Sequence, residues 1–236
     1  MLSDEAFRRY RKGAEAEAIV ARARTILDEA TSADWRYKLR EALYPKLSVV
    51  RPRVFYDFEF LEDGNTIYPI AIGMVNQRGE AYYAVNGDIG RTWKGRKIRR
   101  RIRKHKFLME NVVPHLPHGY GDRRNQIPQS WLFDYTDRAV KSLDKIADEV
   151  LDFLRASGED LELWAYYGAY DYVALCQLWG PMADLPEGVP RFTRDLKQEL
   201  ERLGLSSAQM PTQKGTAHNA LADARWNRDV ADIILR

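Results

Sequence analysis

Cysteine is almost missing from this chain: Cys176 is the only one among 236 residues. A lone thiol excludes an intrachain disulfide framework and any cysteine-rich zinc site, and it fits a reducing, cytoplasmic setting. No apolar run approaches the roughly 20 residues that span a bilayer, which argues against a membrane partner. The first residues, Met1-Leu2-Ser3-Asp4-Glu5, are acidic and then densely charged, unlike a secretory signal. There is no internal repeat and no low-complexity tract. Histidine is scarce too, at four residues, so each one can be weighed individually.

What remains is a globular composition. Apolar residues make up 45% of the chain and aromatics 11%, enough to bury a sizeable core, and the 30% charged fraction is slightly high. The net charge of +3 hides an asymmetry. Arg91 to Lys106 (RTWKGRKIRRRIRKHK) contains ten Lys/Arg and no acid, and without those ten the chain would stand at −7. So dense a run reads as an arm for phosphates, with Arg99, Arg100, Arg101, Arg103 and Lys104 at its centre. The plainer reading is a solvated basic face. Either way the run indicates a polyanion and does not distinguish RNA from DNA.

Residues 3–30 predict a long helix, with Ser3 as its cap and a stripe from Phe7 to Leu27, and a shorter helix follows from Asp34 to Tyr44. Residues 1–48 therefore form an N-terminal helical extension, and 49–236 the main domain. Val49 to about Leu61 predicts a buried strand. A turn at 62–65, a strand from Ile67 to Val75, a hairpin turn and a strand from Ala81 to Val85 complete a three-strand meander. The basic segment, at about 90–106, is an insertion after it. Helices at Asp137–Leu154, Ala169–Trp179, 196–203 and Asn219–Leu235 alternate with short strands at Leu161–Ala165 and Phe192–Asp195. This order predicts an α/β mixed sheet.

Chemistry enters with the acids. Asp57 and Glu59 flank Phe58 inside the apolar first strand, so both carboxylates leave one face of the sheet. Acids there are costly unless satisfied. A DxE triplet alone is weak, and the second one, Asp160-Leu161-Glu162, opens its strand and reads as surface. Asp171 falls in the first turn of a later helix, where a plain dipole interaction would also explain it. His218 and Asp223 lie five residues apart, about 140° past one helical turn. They share no helical face, so His218 belongs in the loop before the last helix, reaching over a site that Asp223 supports. There it is a candidate general base. Four converging carboxylates suit hard divalent cations, and two such ions stabilise both the attacking and the leaving oxygen of a phosphodiester. Tyr167 and Tyr170, beside Asp171, read either as stacking platforms for terminal bases or as packing.

The order DxE, Asp, HxAxxDA resembles that of the DEDDh 3′→5′ exonuclease superfamily. The likeness sharpens in Tyr56-Asp57-Phe58-Glu59-Phe60-Leu61-Glu62-Asp63-Gly64, in Glu162-Leu163-Trp164-Ala165 with Gly168-Ala169-Tyr170-Asp171, in Ala174 to Met182, and in Pro190-Arg191-Phe192-Thr193-Arg194. These runs are similar to the small bacterial exoribonuclease AS family, over about 53–235 without most of 90–106. The resemblance implies a ribonuclease-H-like fold and two divalent ions, Mg²⁺ or Mn²⁺. Asp57, Glu59, Asp171 and Asp223 would be the ligands and His218 the base. It further implies RNA as partner and substrate, and a homodimer. Phe60 stands where many superfamily members have Thr beside the terminal nucleotide; the nearer family also favours Phe. The expected activity is removal of nucleoside monophosphates from RNA 3′ ends or overhangs. The alternatives are the same chemistry on DNA, and a non-catalytic nucleic-acid-binding module that binds in a salt-sensitive way without cleaving.

Overall fold

Period-two alternation organises strand β1, Arg53–Glu62. Val54, Tyr56 and Phe58 join one apolar cluster, while Phe55 and Leu61 join two others on the opposite face. Asp57 and Glu59 therefore sit on the second face, between the apolar residues Phe55 and Leu61. The structure is a computed structural model that describes residues 51–117, 133–213 and 217–235, with Glu17, Ala18 and Ala21, which are helical. The chain divides into two compact units, Met1–Val50 and Arg51–Arg236, and the second is described below. Apart from those three residues, the helical extension expected at 1–48 lies outside the described residues, as do Val49 and Val50 of the expected first strand.

Strand β2, Ile67–Asn76, pairs antiparallel with β1, and β3, Ala81–Asn86, pairs antiparallel with β2. The basic segment then forms helix α1, Trp93–Ile102, capped by Thr92, whose hydroxyl accepts from Gly95 N–H. A two-residue strand β4, Val140–Lys141, pairs parallel with the end of β3. Helix α2 is Leu143–Ser157, strand β5 Glu162–Ala165 and helix α3 Ala169–Cys176. Strand β6, Arg194–Asp195, helix α4, Leu196–Arg202, and helix α5, Ala220–Ile234, complete the order. The sheet runs β4-β3-β2-β1-β5-β6, mixed in direction, with β1 near its centre. No described helix is long and apolar enough to cross a membrane.

The expected helix at Asp137–Leu154 begins later than its pattern suggested. Asp137 holds a turn by accepting from Ala139 N–H at 2.7 Å. Val140 and Lys141 go to the sheet edge instead, and Ser142 caps α2 by accepting from Lys145 N–H. The expected helix 169–179 likewise closes at Cys176.

Helices cover both faces. Ile146, Val150 and Leu154 of α2 and Ala174 and Leu175 of α3 pack on the Val54-Tyr56-Phe58 face. Ala224, Val230, Ala231 and Ile234 of α5 pack with Phe55 and Val75 on the other. Full burial of each Val, Leu or Ile side chain among these contributes about 1.5–3 kcal/mol. Asn227 of α5 donates from Nδ2 to the Tyr56 carbonyl at 3.1 Å, which fixes the helix against β1.

One position controls how close α5 comes. Gly73 pairs with Asp57 across β1 and β2. A Cβ on Gly73 would lie 2.2 Å from the backbone carbonyl of Ala220 and 2.3 Å from Leu221 N. The first turn of α5 therefore rests on bare backbone, at the level of the acids. Gly73→Ala is expected to destabilise the protein by about 1–3 kcal/mol through forced displacement of the helix. Thermal unfolding measures this, and a melting temperature equal to the wild type's would mean that α5 does not approach β2 this closely.

Candidate active site

The acids predicted from sequence meet in one place. One carboxylate oxygen each from Asp57, Glu59 and Asp223 lie within 4.8 Å of one another. Strand alternation brings the first two, and the close seating of α5 brings the third. Asp171 arrives by a different route. β5 pairs with β1 only as far as Phe55↔Trp164. Beyond that point no strand among the described residues covers this edge of β1, and the first turn of α3 takes its place. Asp171 Oδ1 accepts from Phe58 N–H at 2.8 Å, between the two acids of the strand.

Crowding and burial act on these groups together. Burial raises the Asp57 carboxyl well above its ordinary range, reinforced by the charges of Asp171, Glu59 and Asp223. Burial, then Asp223 and Asp171, push Glu59 up to about 8. Asp171 rises to about 6 through burial, opposed by the Phe58 N–H that it accepts. Asp223 is raised by burial, against the hydrogen bond from Gln213 and the His218 charge. The backbone of His218 and Asn219 also acts to lower it. Four acids that resist ionisation, first because burial disfavours their charge and then, for Asp57, Glu59 and Asp171, because other acids lie close, form a donor set that a cation would complete. Their all-oxygen chemistry fits Mg²⁺ or Mn²⁺.

His218 lies in the loop before α5, as its spacing from Asp223 required. Its φ of +64° is left-handed, a conformation that non-glycine residues adopt at some cost. The next residue, Asn219, starts the helix by accepting from Ala222 N–H at 3.0 Å. The Phe107 ring meets the His218 ring edge-on, with centroids 4.9 Å apart.

Phe60 and Tyr170 also come together, with ring centroids 6.0 Å apart and near-perpendicular planes. Tyr170 is 55% exposed and Tyr167 66% exposed, with Tyr167 at a φ of +57°. Rings so open are available to a ligand. Trp164, by contrast, is core, and Cys176 is a buried free thiol. In the basic run Arg100 and Lys104 are exposed, while Arg99, Arg101 and Arg103 are half-buried. Arg101 bonds Asp63 at 2.8 Å. Of the second DxE triplet, expected at the surface, Asp160 is exposed and pairs with Arg51, whereas Glu162 is largely covered and pairs with Arg53 and Arg194.

Three residues of this site were not singled out from sequence. Gly73 had a signal, since a glycine inside an apolar strand marks close backbone approach. Gln213, which bonds Asp223, and Phe107 had none, because only the fold brings them near.

The model of the 3′-5′ exoribonuclease Rv2179c-like domain matches residues 127–235. Two curated Mycobacterium tuberculosis proteins resemble the chain. They are the 3′-5′ exoribonuclease Rv2179c of strain ATCC 25618 / H37Rv and the 3′-5′ exoribonuclease MT2234.1 of strain CDC 1551 / Oshkosh. Each is 42% identical over 174 residues, covering 73% of this chain and 87% of the relative. The chain is a hydrolase, a nuclease. It belongs to the Rv2179c-like 3′-5′ exoribonuclease family. Among solved structures, the Mg²⁺- and Mn²⁺-bound form of S. pombe Pop2p aligns at 12% identity over 88% of both chains, with a TM-score of 0.38. A chain in the structure of the yeast NOT1 MIF4G domain co-crystallised with CAF1 aligns at 11% identity over 78% of this chain and 80% of that one, with a TM-score of 0.36. Likenesses that distant carry no argument about the site.

The raised carboxyl groups make stability depend on pH. An acid with a raised folded-state pKa holds its proton more tightly in the folded protein than in the unfolded chain. The stability it contributes is present near the ordinary carboxylate range and is lost as pH rises through about 6 for Asp171 and about 8 for Glu59. In chelator, the melting temperature is expected to fall from pH 5 to pH 9. Mg²⁺ is expected to restore more of it at pH 8 than at pH 5, because binding requires the ionised acids. A melting temperature that stays flat or climbs across this range would show that the acids do not share one site.

Proposed function

We propose that this chain is a DEDDh-type 3′→5′ exoribonuclease with a ribonuclease-H-like fold, closest in kind to the exoribonuclease AS family. It would remove nucleoside 5′-monophosphates one at a time from RNA 3′ ends or overhangs. The observation that carries the reading is the convergence of Asp57, Glu59 and Asp223 within 4.8 Å, with His218 beside them on the α5 loop. The family resemblance adds a homodimer, and the single cysteine a cytoplasmic setting.

Asp57, Glu59, Asp171 and Asp223 would hold two divalent ions, Mg²⁺ or Mn²⁺. Bound there, such ions supply positive charge at the attacking and leaving oxygens of the scissile phosphodiester. The chain's own groups do the rest. His218 takes a proton from the attacking water. The new bond forms between that oxygen and phosphorus, and the bond from phosphorus to the 3′-oxygen of the preceding nucleotide breaks. The 3′-oxygen then takes a proton from solvent. Asp171, tied to Phe58 N–H, keeps its register with the strand acids. Phe60, Tyr170 and Tyr167 offer ring edges and faces to the terminal nucleotide. The cations around Arg99, Arg100, Arg101, Arg103 and Lys104 attract the backbone phosphates.

Asp57→Ala is expected to abolish hydrolysis of a 3′-labelled RNA oligonucleotide in Mg²⁺ while leaving RNA binding largely intact; full activity in that variant would falsify the site. Run side by side, matched RNA and DNA oligonucleotides decide the substrate, with RNA expected to be degraded faster. Equal or greater rates on DNA would reassign the enzyme to DNA ends.

A further inference from the structure

The basic run is a helix with two unlike sides. Gly95, Ile98 and Ile102 of α1 face the protein: Gly95 and Ile102 are buried, and Ile98 packs against a core cluster. Lys94, Arg96, Lys97 and Arg100 are exposed, and Lys104 and Lys106 extend the same charge beyond the helix. Trp93, at the first position of α1, is 66% exposed. The Lys97 ammonium sits over one face of its ring, 3.6 Å from the centroid. An exposed indole set among cations matches the pairing of stacking ring and positive groove that holds single strands.

The helix is also anchored toward the active site. Its C-terminal end is pinned to the β1–β2 turn by Arg101, which bonds Asp63 at 2.8 Å and lies over the Tyr68 ring at 5.3 Å. Five residues past Ile102, Phe107 lays its ring against His218. The run thus ends at the candidate base and leads away from it over about 15 Å of helix, at 1.5 Å per residue.

We propose that the outer face of α1 is the binding track for single-stranded RNA upstream of the scissile bond, with Trp93 stacking on an unpaired base and the exposed cations meeting the phosphates between it and the catalytic centre. The proposal rests on the reading of His218 and its carboxylates as that centre. Its sequence-independent contacts suit any single strand, and its length sets how many nucleotides contribute to binding beyond the terminal pair.

The test is substrate length. For the unmodified protein, kcat/KM is expected to rise from a dinucleotide to a decanucleotide of unstructured RNA. Trp93→Ala, and the double variant Lys97→Ala with Arg100→Ala, are expected to lower the ratio of the two efficiencies about tenfold or more. The loss should lie in KM, and in the double variant the salt dependence of KM should flatten. Trp93→Phe, which keeps a stacking ring, is expected to recover most of the ratio. The track is overturned if the ratio stays within twofold of wild type in both variants, or if Trp93→Leu recovers it as well as Trp93→Phe does. If the unmodified protein cleaves neither length, the catalytic reading fails. Fluorescence anisotropy with a labelled decanucleotide then decides the track separately, with weaker binding by Trp93→Ala expected and equal binding overturning it.

Discussion

The crowding of four carboxylates, Glu59 and Asp171 buried and Asp57 and Asp223 half-buried, is the constraint around which this molecule is built. Left to themselves, Asp57, Glu59, Asp171 and Asp223 would move apart or stay protonated; their raised pKa values record burial first, and at Asp57, Glu59 and Asp171 the crowding as well. What keeps them together is apolar packing elsewhere. Phe55, Val75, Val230 and Ile234 clamp α5 to one face of the sheet, and the α2–α3 layer closes the other. The free energy of the core holds an arrangement that is unfavourable locally, as is common at functional sites.

The four acids reach the site by three kinds of constraint. Asp57 and Glu59 are there because side chains alternate along a strand. Asp223 is there because a helix sits unusually near its sheet. Asp171 is there because β5 is short, which leaves an amide of β1 open to a side chain. These constraints are not equally visible in sequence. The alternation of β1 and the start of α5 at Asn219 follow from local pattern, and so does the placement of His218 off its helix. The resemblance over about 53–235, without most of 90–106, added the roles expected of the acids.

What stayed hidden depends on contacts distant in sequence. Val140 and Lys141 have no strand pattern of their own; they become β4 because the end of β3 offers free backbone groups. Gln213 is an ordinary polar residue until the chain folds back over Asp223. The basic run announced its charge, but not that Arg101 fastens it down while Arg100 and Lys104 stay in water. Charge is a property of composition, whereas which charges face outward is a property of packing.

Gly73 shows the same point in reverse, since its contribution is a volume it does not fill. Every other residue of the centre can be replaced by something that keeps part of its chemistry, such as an amide for an acid or one ring for another. At position 73 the smallest available side chain is already too large, because the first added carbon would fall on the backbone of Ala220. The distance between the strand acids and the helix acid is thus set by an empty space, and no chemically similar residue can stand in for it.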